Sequence, residues 1–464
     1  MATAKYTVSS DGDLIHIDEQ GQSQSADYSS FQHQAFVDSV GQAYLAKVSA
    51  VSDYSNEIFI QYYVRQQEWN NIVNDAQVVP TAGNSLNEKL WNDLLPQARR
   101  PSCYFALLIF YAKLLVSSLA IWLLVVKRKL TTKAAELEQG SNLCVVRSKA
   151  AESKLRAVES EFGLTLVCED VVYKSAAMPS MLSYVPYSTL IFALPWLLIE
   201  SVKDGYTVNR ELGEVFGNDV KLAILNTYPA RIALKRWYQH ALDAIVEKGH
   251  MTALYTGNKE DRFAMVEKHI AQKYGLELVC VPHGLEYGFL FPTGIAGDKF
   301  YCTSENAVHR FAELYPDVTP VYCRELQEKL YSLGKENCQL GAKRIVFFTE
   351  SRDVDVNRKI ITDLKNSGLS FSLKLHPKDD KINYAAFSGL HFEEDYATAM
   401  TGVICLARKS TVLIEALFNH SLSVAYVIHS KDSYYVTSVF PSLNDTSIVK
   451  CRNSRELLEF IKNI

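Results

Sequence analysis

The 464-residue sequence contains no Cys-x-x-Cys pair, no P-loop, no Gly-x-Gly-x-x-Gly fingerprint, no internal repeat and no low-complexity tract. These absences remove the usual signatures of a zinc ribbon, a Walker-type nucleotide site, a dinucleotide-binding turn and a solenoid. The nine cysteines (Cys103, Cys144, Cys168, Cys280, Cys302, Cys323, Cys338, Cys405 and Cys451) are odd in number and scattered. They read as reduced core residues of a cytosolic protein, not as a disulfide frame. The opening Met-Ala-Thr-Ala-Lys-Tyr has no apolar core of a secretory signal, so a cytoplasmic location is expected. Net charge is −4 with no basic domain, which argues against a nucleic-acid partner. Asp353-Val354-Asp355 is formally a D-x-D metal motif, but acids are expected where a helix opens, and no metal or cofactor is assigned.

What is present is an ordinary apolar share, 48%, on a chain long enough for two or three domains. From residue 141 strands and helices alternate with short connections: strands at 142–147, 164–168, 220–225, 253–255, 276–281 and 297–302, with helices between them. The pattern resumes at 344–349 and runs through 371–375, 402–406 and 423–428 to a closing helix at 454–462. Such alternation implies parallel sheets covered by helices. The expected fold is therefore α/β, with two Rossmann-like domains facing a cleft, an N-terminal extension and one hydrophobic helix. The corresponding division is 1–100, 101–130, 131–320 and 321–464. Within the extension, alternation at 14–17 and the apolar run 58–64 suggest either the first strands of the N-terminal sheet or a separate accessory region. A segment at 178–199, apolar and marked by prolines, interrupts the first domain.

The apolar run 104–126 is long enough to span a bilayer. Lys113 near its middle is costly in lipid, and Arg99-Arg100 before it and Lys127-Arg128-Lys129 after it give no orientation. A helix lying on the inner membrane surface fits better, and a buried core helix or a dimer contact is the competing reading.

The richest stretch for chemistry follows the strand at 371–375. Pro377 ends that strand, leaving His376 at its carboxyl end, where α/β sheets collect ligands. Beyond the strand at 402–406 come Arg408 and Lys409, then Ser410 and Thr411 at a helix start. Cations, hydroxyls and free N–H groups there suit a phosphate. Glu415, one turn on, is placed to accept hydrogen bonds from ribose hydroxyls. Glu350 and Arg352, after the strand at 344–349, are further cleft candidates. In the first domain two polar clusters follow strands: Gly257-Asn258-Lys259-Glu260-Asp261, and His283-Gly284-Leu285-Glu286. The acids Glu260 and Asp261 serve either as acceptor-side groups or as caps of the following helix.

The His376-Pro377 pair followed by Ser410-Thr411 resembles the C-terminal halves of two related groups of two-Rossmann (GT-B) enzymes. One is the bacterial sialyltransferases and capsule-type nonulosonate or Kdo transferases; the other is the CDP-glycerol glycerophosphotransferases of teichoic acid synthesis. The resemblance covers about a third of the chain. It implies that His376, Ser410 and Thr411 hold a cytidine nucleotide and its phosphate. His283-Gly284 looks like the His-Gly of the glycerophosphotransferases, which implies an acceptor-side catalytic histidine. Glu260-Asp261 looks like the acidic pair that carries the sialyltransferase base, although here the glycine precedes the acids. The expected activity is transfer of an acidic sugar from a CMP-activated donor to a surface glycan, capsule, lipopolysaccharide or lipid-linked saccharide, on the cytoplasmic face of a bacterial inner membrane. Transfer of a polyol phosphate from a CDP-polyol, or a non-catalytic assembly role on the same fold, are the alternatives.

Overall fold

The computed structural model describes residues 5–8, 14–17, 23–25, 34–64, 79–80, 103–138, 140–216, 226–334, 344–351, 354–428 and 430–464. Four short strands, β1 (Lys5–Val8), β2 (Leu14–Ile17), β3 (Ser23–Ser25) and β4 (Val79–Pro80), form a small separate sheet in the order β3-β2-β1-β4. The alternation at 14–17 therefore does make a strand, though not one of a Rossmann sheet. The run 58–64 is helical instead: a short helix, Ser55–Ile58, continues into a π-helical turn, Phe59–Tyr63. Its buried residues Ile58, Phe59, Tyr62 and Tyr63 recur at helical, not alternate, spacing, which a run of aromatics conceals.

Two six-stranded sheets carry the rest. The first contains β5 (Asn142–Val146), β6 (Leu164–Cys168), β7 (Ala253–Thr256), β8 (Glu277–Cys280), β9 (Lys299–Tyr301) and β10 (Thr319–Val321). Their order is β10-β9-β8-β7-β5-β6, and every pairing is parallel. The second contains β11 (Ile345–Phe348), β12 (Phe371–Lys374), β13 (His391–Phe392), β14 (Ile404–Ala407), β15 (Leu422–Tyr426) and β16 (Ile448–Cys451). Here the order is β13-β12-β11-β14-β15-β16, again all parallel, the order of a Rossmann sheet. The expected α/β class with two Rossmann-like units is thus realised. The strand expected at 220–225 lies outside the described residues.

Both sheets are buried on both faces, which explains why their strands read as continuous apolar runs. In β5, Cys144 and Val146 join one core cluster while Leu143 and Val145 join another. In β11, Val346 and Phe348 face the first cluster and Ile345 and Phe347 a third. The shared cluster runs from the 34–64 segment through one face of the first sheet to one face of the second, so burial ties the parts together. Helix boundaries follow local chemistry. Ser148 Oγ accepts from Ala151 N and Asp261 Oδ1 from Ala264 N, while Gly163 and Gly275 end their helices at φ +56° and +65°.

The 178–199 segment holds a surprise. Most of it belongs to a 30-residue helix, Tyr187–Phe216, that runs straight through Pro195. The proline reads as a breaker in sequence; in the fold, Ala193 and Leu197 beside it are buried and packing holds the helix together. This helix lies against the apolar helix Cys103–Thr131, and both pack on a third, Tyr228–Gly249.

Candidate functional site

Sheet order reverses between β11 and β14 in the second domain, which opens a crevice at the carboxyl ends of those strands. Of the residues singled out, Glu350, His376, Arg408 and Lys409 lie at these strand ends. His376 N donates to Thr349 Oγ1 at 3.2 Å, and Thr349 in turn donates to Asp379 Oδ2 at 2.6 Å. His376 Nδ1 accepts from Lys378 N at 3.1 Å. That bond fixes the tautomer: in the neutral ring the proton sits on Nε2, which is then a donor. The ring and Pro377 are exposed. Partial desolvation and the Lys378 cation lower the His376 pKa below the usual histidine value, while Asp379 and Glu350 pull the other way.

The cations behind it are engaged. Arg408 is almost wholly buried; its Nε donates to Asp432 Oδ2 at 2.5 Å and its Nη2 to Asp432 Oδ1 at 3.0 Å. Lys409 Nζ reaches Asp432 Oδ1 at 2.6 Å, and Lys409 N donates to Glu350 Oε1 at 3.2 Å. Glu350 Oε2 also lies 3.5 Å from Arg408 Nη1. Among the described residues these two cations share two carboxylates, which holds the turn rigid. Ser410 Oγ accepts weakly from Val412 N at 3.4 Å, whereas the Thr411 side chain makes no cap, and the helix Val412–Leu417 that follows is short. Glu415 is engaged on both oxygens: its Oε2 accepts from Tyr396 Oη at 2.6 Å and its Oε1 lies 3.9 Å from Lys154 Nζ of the first domain. Arg352 lies outside the described residues, as does Asp353 of the D-x-D motif.

In the first domain His283 follows β8 and leans on the loop after β7. Its Nδ1 lies 2.6 Å from Gly257 O, and its backbone N donates to the same oxygen at 3.2 Å. A carbonyl only accepts, so Nδ1 carries the proton and Nε2 holds a lone pair. Burial lowers the His283 pKa, and the opposing pull of the Gly257 carbonyl and Asp261 does not restore it, so the ring is neutral near pH 7. A built Cβ on Gly284 meets nothing within 4 Å, so space opens beside the histidine.

The acids divide. Asp261 caps its helix, accepts from Asn258 Nδ2 at 2.6 Å and lies 3.4 Å from Arg147. Burial raises its pKa, but Arg147 and these donors more than offset that and hold it below the usual range. Glu260 is raised by burial, partly countered by Lys259 at 3.4 Å. Glu286 is fully buried and binds across the domains: it accepts from Thr303 N and Oγ1, both at 2.6 Å, and from Ser442 Oγ at 2.8 Å. Beside it Gly288 N donates to Val439 O at 2.7 Å, so the carboxyl-edge loops of the two sheets meet. Sequence reasoning did not reach Asp432, Thr349, Asp379, Arg147 or Ser442. Each is a lone residue outside any motif, and only the fold brings it to its partner.

Fold and site together define a two-domain α/β protein whose carboxyl-edge loops carry two histidines in opposite tautomers. No protein-family model and no curated protein sequence matches the chain. Among solved structures it is similar to SsfS6, a glycosyltransferase of Streptomyces sp. SF2575, at 9% identity. The match covers 67% of this chain and 88% of that one with a TM-score of 0.32, too low to support any argument about activity.

Proposed function

We propose that the protein is a nucleotide-sugar-dependent glycosyltransferase of the GT-B type, moving an acidic sugar from a CMP-activated donor to a saccharide acceptor. The observation that carries this reading is the pair of histidines. Transfer requires a donor group on the departing phosphate and a lone pair for the acceptor hydroxyl's proton. His376, with its proton on Nε2, suits the first role, and His283, with its lone pair on Nε2, suits the second. Both rings are oriented by backbone groups, which costs no reorganisation during reaction. In this assignment Ser410 and Thr411 add hydroxyls to the phosphate, and Arg408 and Lys409 shape the turn from behind. Glu260 stays near the acceptor side as a second candidate base. Glu415 contributes to domain contact in place of ribose binding.

The acceptor in this reading is a surface glycan or lipid-linked saccharide met on the cytoplasmic face of the inner membrane. The test is donor turnover by the purified chain. Release of CMP from a CMP-activated acidic sugar, abolished in His283→Gln only when an acceptor hydroxyl is required, is the expected result. A product that gains phosphorus from a CDP-polyol would move the assignment to polyol-phosphate transfer. No turnover of either donor would leave a non-catalytic assembly role.

A further inference from the structure

The helices Cys103–Thr131 and Tyr187–Phe216 form an antiparallel pair. Ser118 Oγ lies 3.3 Å from Ser201 Oγ, Trp122 Nε1 donates to Leu190 O at 3.0 Å, and Lys129 Nζ donates to Leu182 O at 2.6 Å. At Gly205 a Cβ would sit 2.9 Å from Leu114 Cδ2, so the helices approach closely there. One side of the pair, with Phe110, Leu114, Leu197 and Val208, is buried. The side turned away carries a row of large apolar residues on each helix. Leu108, Val116 and Leu123 are 67%, 68% and 53% exposed, and Ile191, Phe192 and Ile199 are 68%, 70% and 58% exposed. One exposed leucine has no meaning, but two parallel rows along helices of about 40 Å exceed what a soluble surface leaves bare.

We infer that this two-helix face is a docking surface for an anionic phospholipid bilayer, lying in the plane of the interface and not crossing it. Charge selects the occupant. The first helix carries Lys113 and Lys127 exposed and Arg128 half-buried, and no acid at all; its remaining cation, Lys129, is buried on Leu182 O. On the second, Asp204 and Glu211 are buried, Glu200 is paired with Lys203, and Glu214 is engaged by Arg210 and Ser49, so the exposed charge among the apolar rows is cationic on a chain of net charge −4. Lysine stems reaching past apolar side chains suit anionic headgroups. Two copies meeting on this face would oppose like charges with no exposed acid to answer them. A span is excluded by what lies behind. The inner side of both helices packs on Tyr228–Gly249, with the Ser118–Ser201 pair and the Asp204–Arg236 ion pair between them, so lipid has access to one side only. The inference rests on the proposed transfer only for its use, which would be to hold the cleft beside a lipid-borne acceptor.

The test is co-sedimentation of the full chain with vesicles of pure phosphatidylcholine and with vesicles containing phosphatidylglycerol, without donor or acceptor. Failure here therefore leaves nucleotide binding a separate question. Binding to the anionic vesicles is expected, weaker by about tenfold without phosphatidylglycerol or in high salt. Leu108→Glu with Val116→Glu, and separately Ile191→Glu with Phe192→Glu, each lower binding by about tenfold or more, with the melting temperature unchanged because these side chains are already in solvent. Lys113→Ala with Lys127→Ala removes only the anionic preference. Sensitivity confined to the first helix would overturn the two-helix face. No vesicle binding, with a dimer that either apolar pair of variants splits, would assign the face to a second copy and overturn the lipid.

Discussion

Two rings and one glycine carry the chemistry of single residues. His283 has its pKa lowered on folding, so the unfolded chain binds more protons just below the ordinary histidine value, and stability must rise with pH through that window. His376 shifts in the same direction. The stability these rings contribute is full above about pH 6.5 and is lost as pH falls toward their depressed values. Urea midpoints measured from pH 8 to 5 should fall below that point, and His283→Gln should flatten the fall. Asp261, whose pKa is lowered, acts in a separate window below the ordinary carboxylate value. Gly284 makes a different prediction. Its Cβ would clash with nothing, so Gly284→Ala should leave stability within about 0.5 kcal/mol while weakening acceptor use, seen as a raised KM at unchanged melting temperature. An alanine enzyme with unaltered kinetics would show that nothing approaches this backbone.

Elements show how far the sequence was legible. Strands buried on both faces were clear, since 142–146, 345–348 and 404–407 are short apolar runs bounded by polar turns. Two helices went unassigned for opposite reasons. At 58–63 aromatic residues of high strand propensity are held helical by burial against Phe289 and Phe291, a tertiary effect that local preference cannot show. At 187–216 an internal proline overrides, on paper, a periodicity that packing sustains in the fold. The site was legible in part. His376 and His283 stand at strand ends where sheet topology puts ligands, whereas the engagement of Arg408 and Lys409 by Asp432 depends on a residue 24 and 23 positions away. The helix Gln34–Leu45 gives this scale its prediction. A Cβ on Gly41 would stand 2.1 Å from Leu290 O, a backbone atom that cannot swing aside. Gly41→Ala should therefore cost roughly 2–3 kcal/mol in denaturant titration, and a cost under about 0.5 kcal/mol would mean that the helix does not seat there.

For the whole molecule the question is whether the domains act as one. Glu286 and Ser442, Gly288 and Val439, and Lys154 with Glu415 join them, and one apolar cluster runs through both. Glu286 accepts three hydrogen bonds in full burial, so Glu286→Ala leaves the Thr303 and Ser442 donors without it. The expected loss is on the order of 3 kcal/mol, with one unfolding transition giving way to two as the domains uncouple; Ser442→Ala should cost about 1 kcal/mol. A single unshifted transition in Glu286→Ala would contradict a coupled pair. The central claim, that the second domain's carboxyl edge holds a cytidine nucleotide through His376, is tested most directly by melting. The purified protein and its His376→Ala variant, whose lost side chain is exposed, would be heated with CMP, CDP, UDP, GDP or ADP, since a ligand of the folded state raises the melting temperature. CMP should stabilise the protein more than the other four, and the variant should lose this gain. A rise with CMP that survives in His376→Ala, or no rise with any nucleotide, would contradict it.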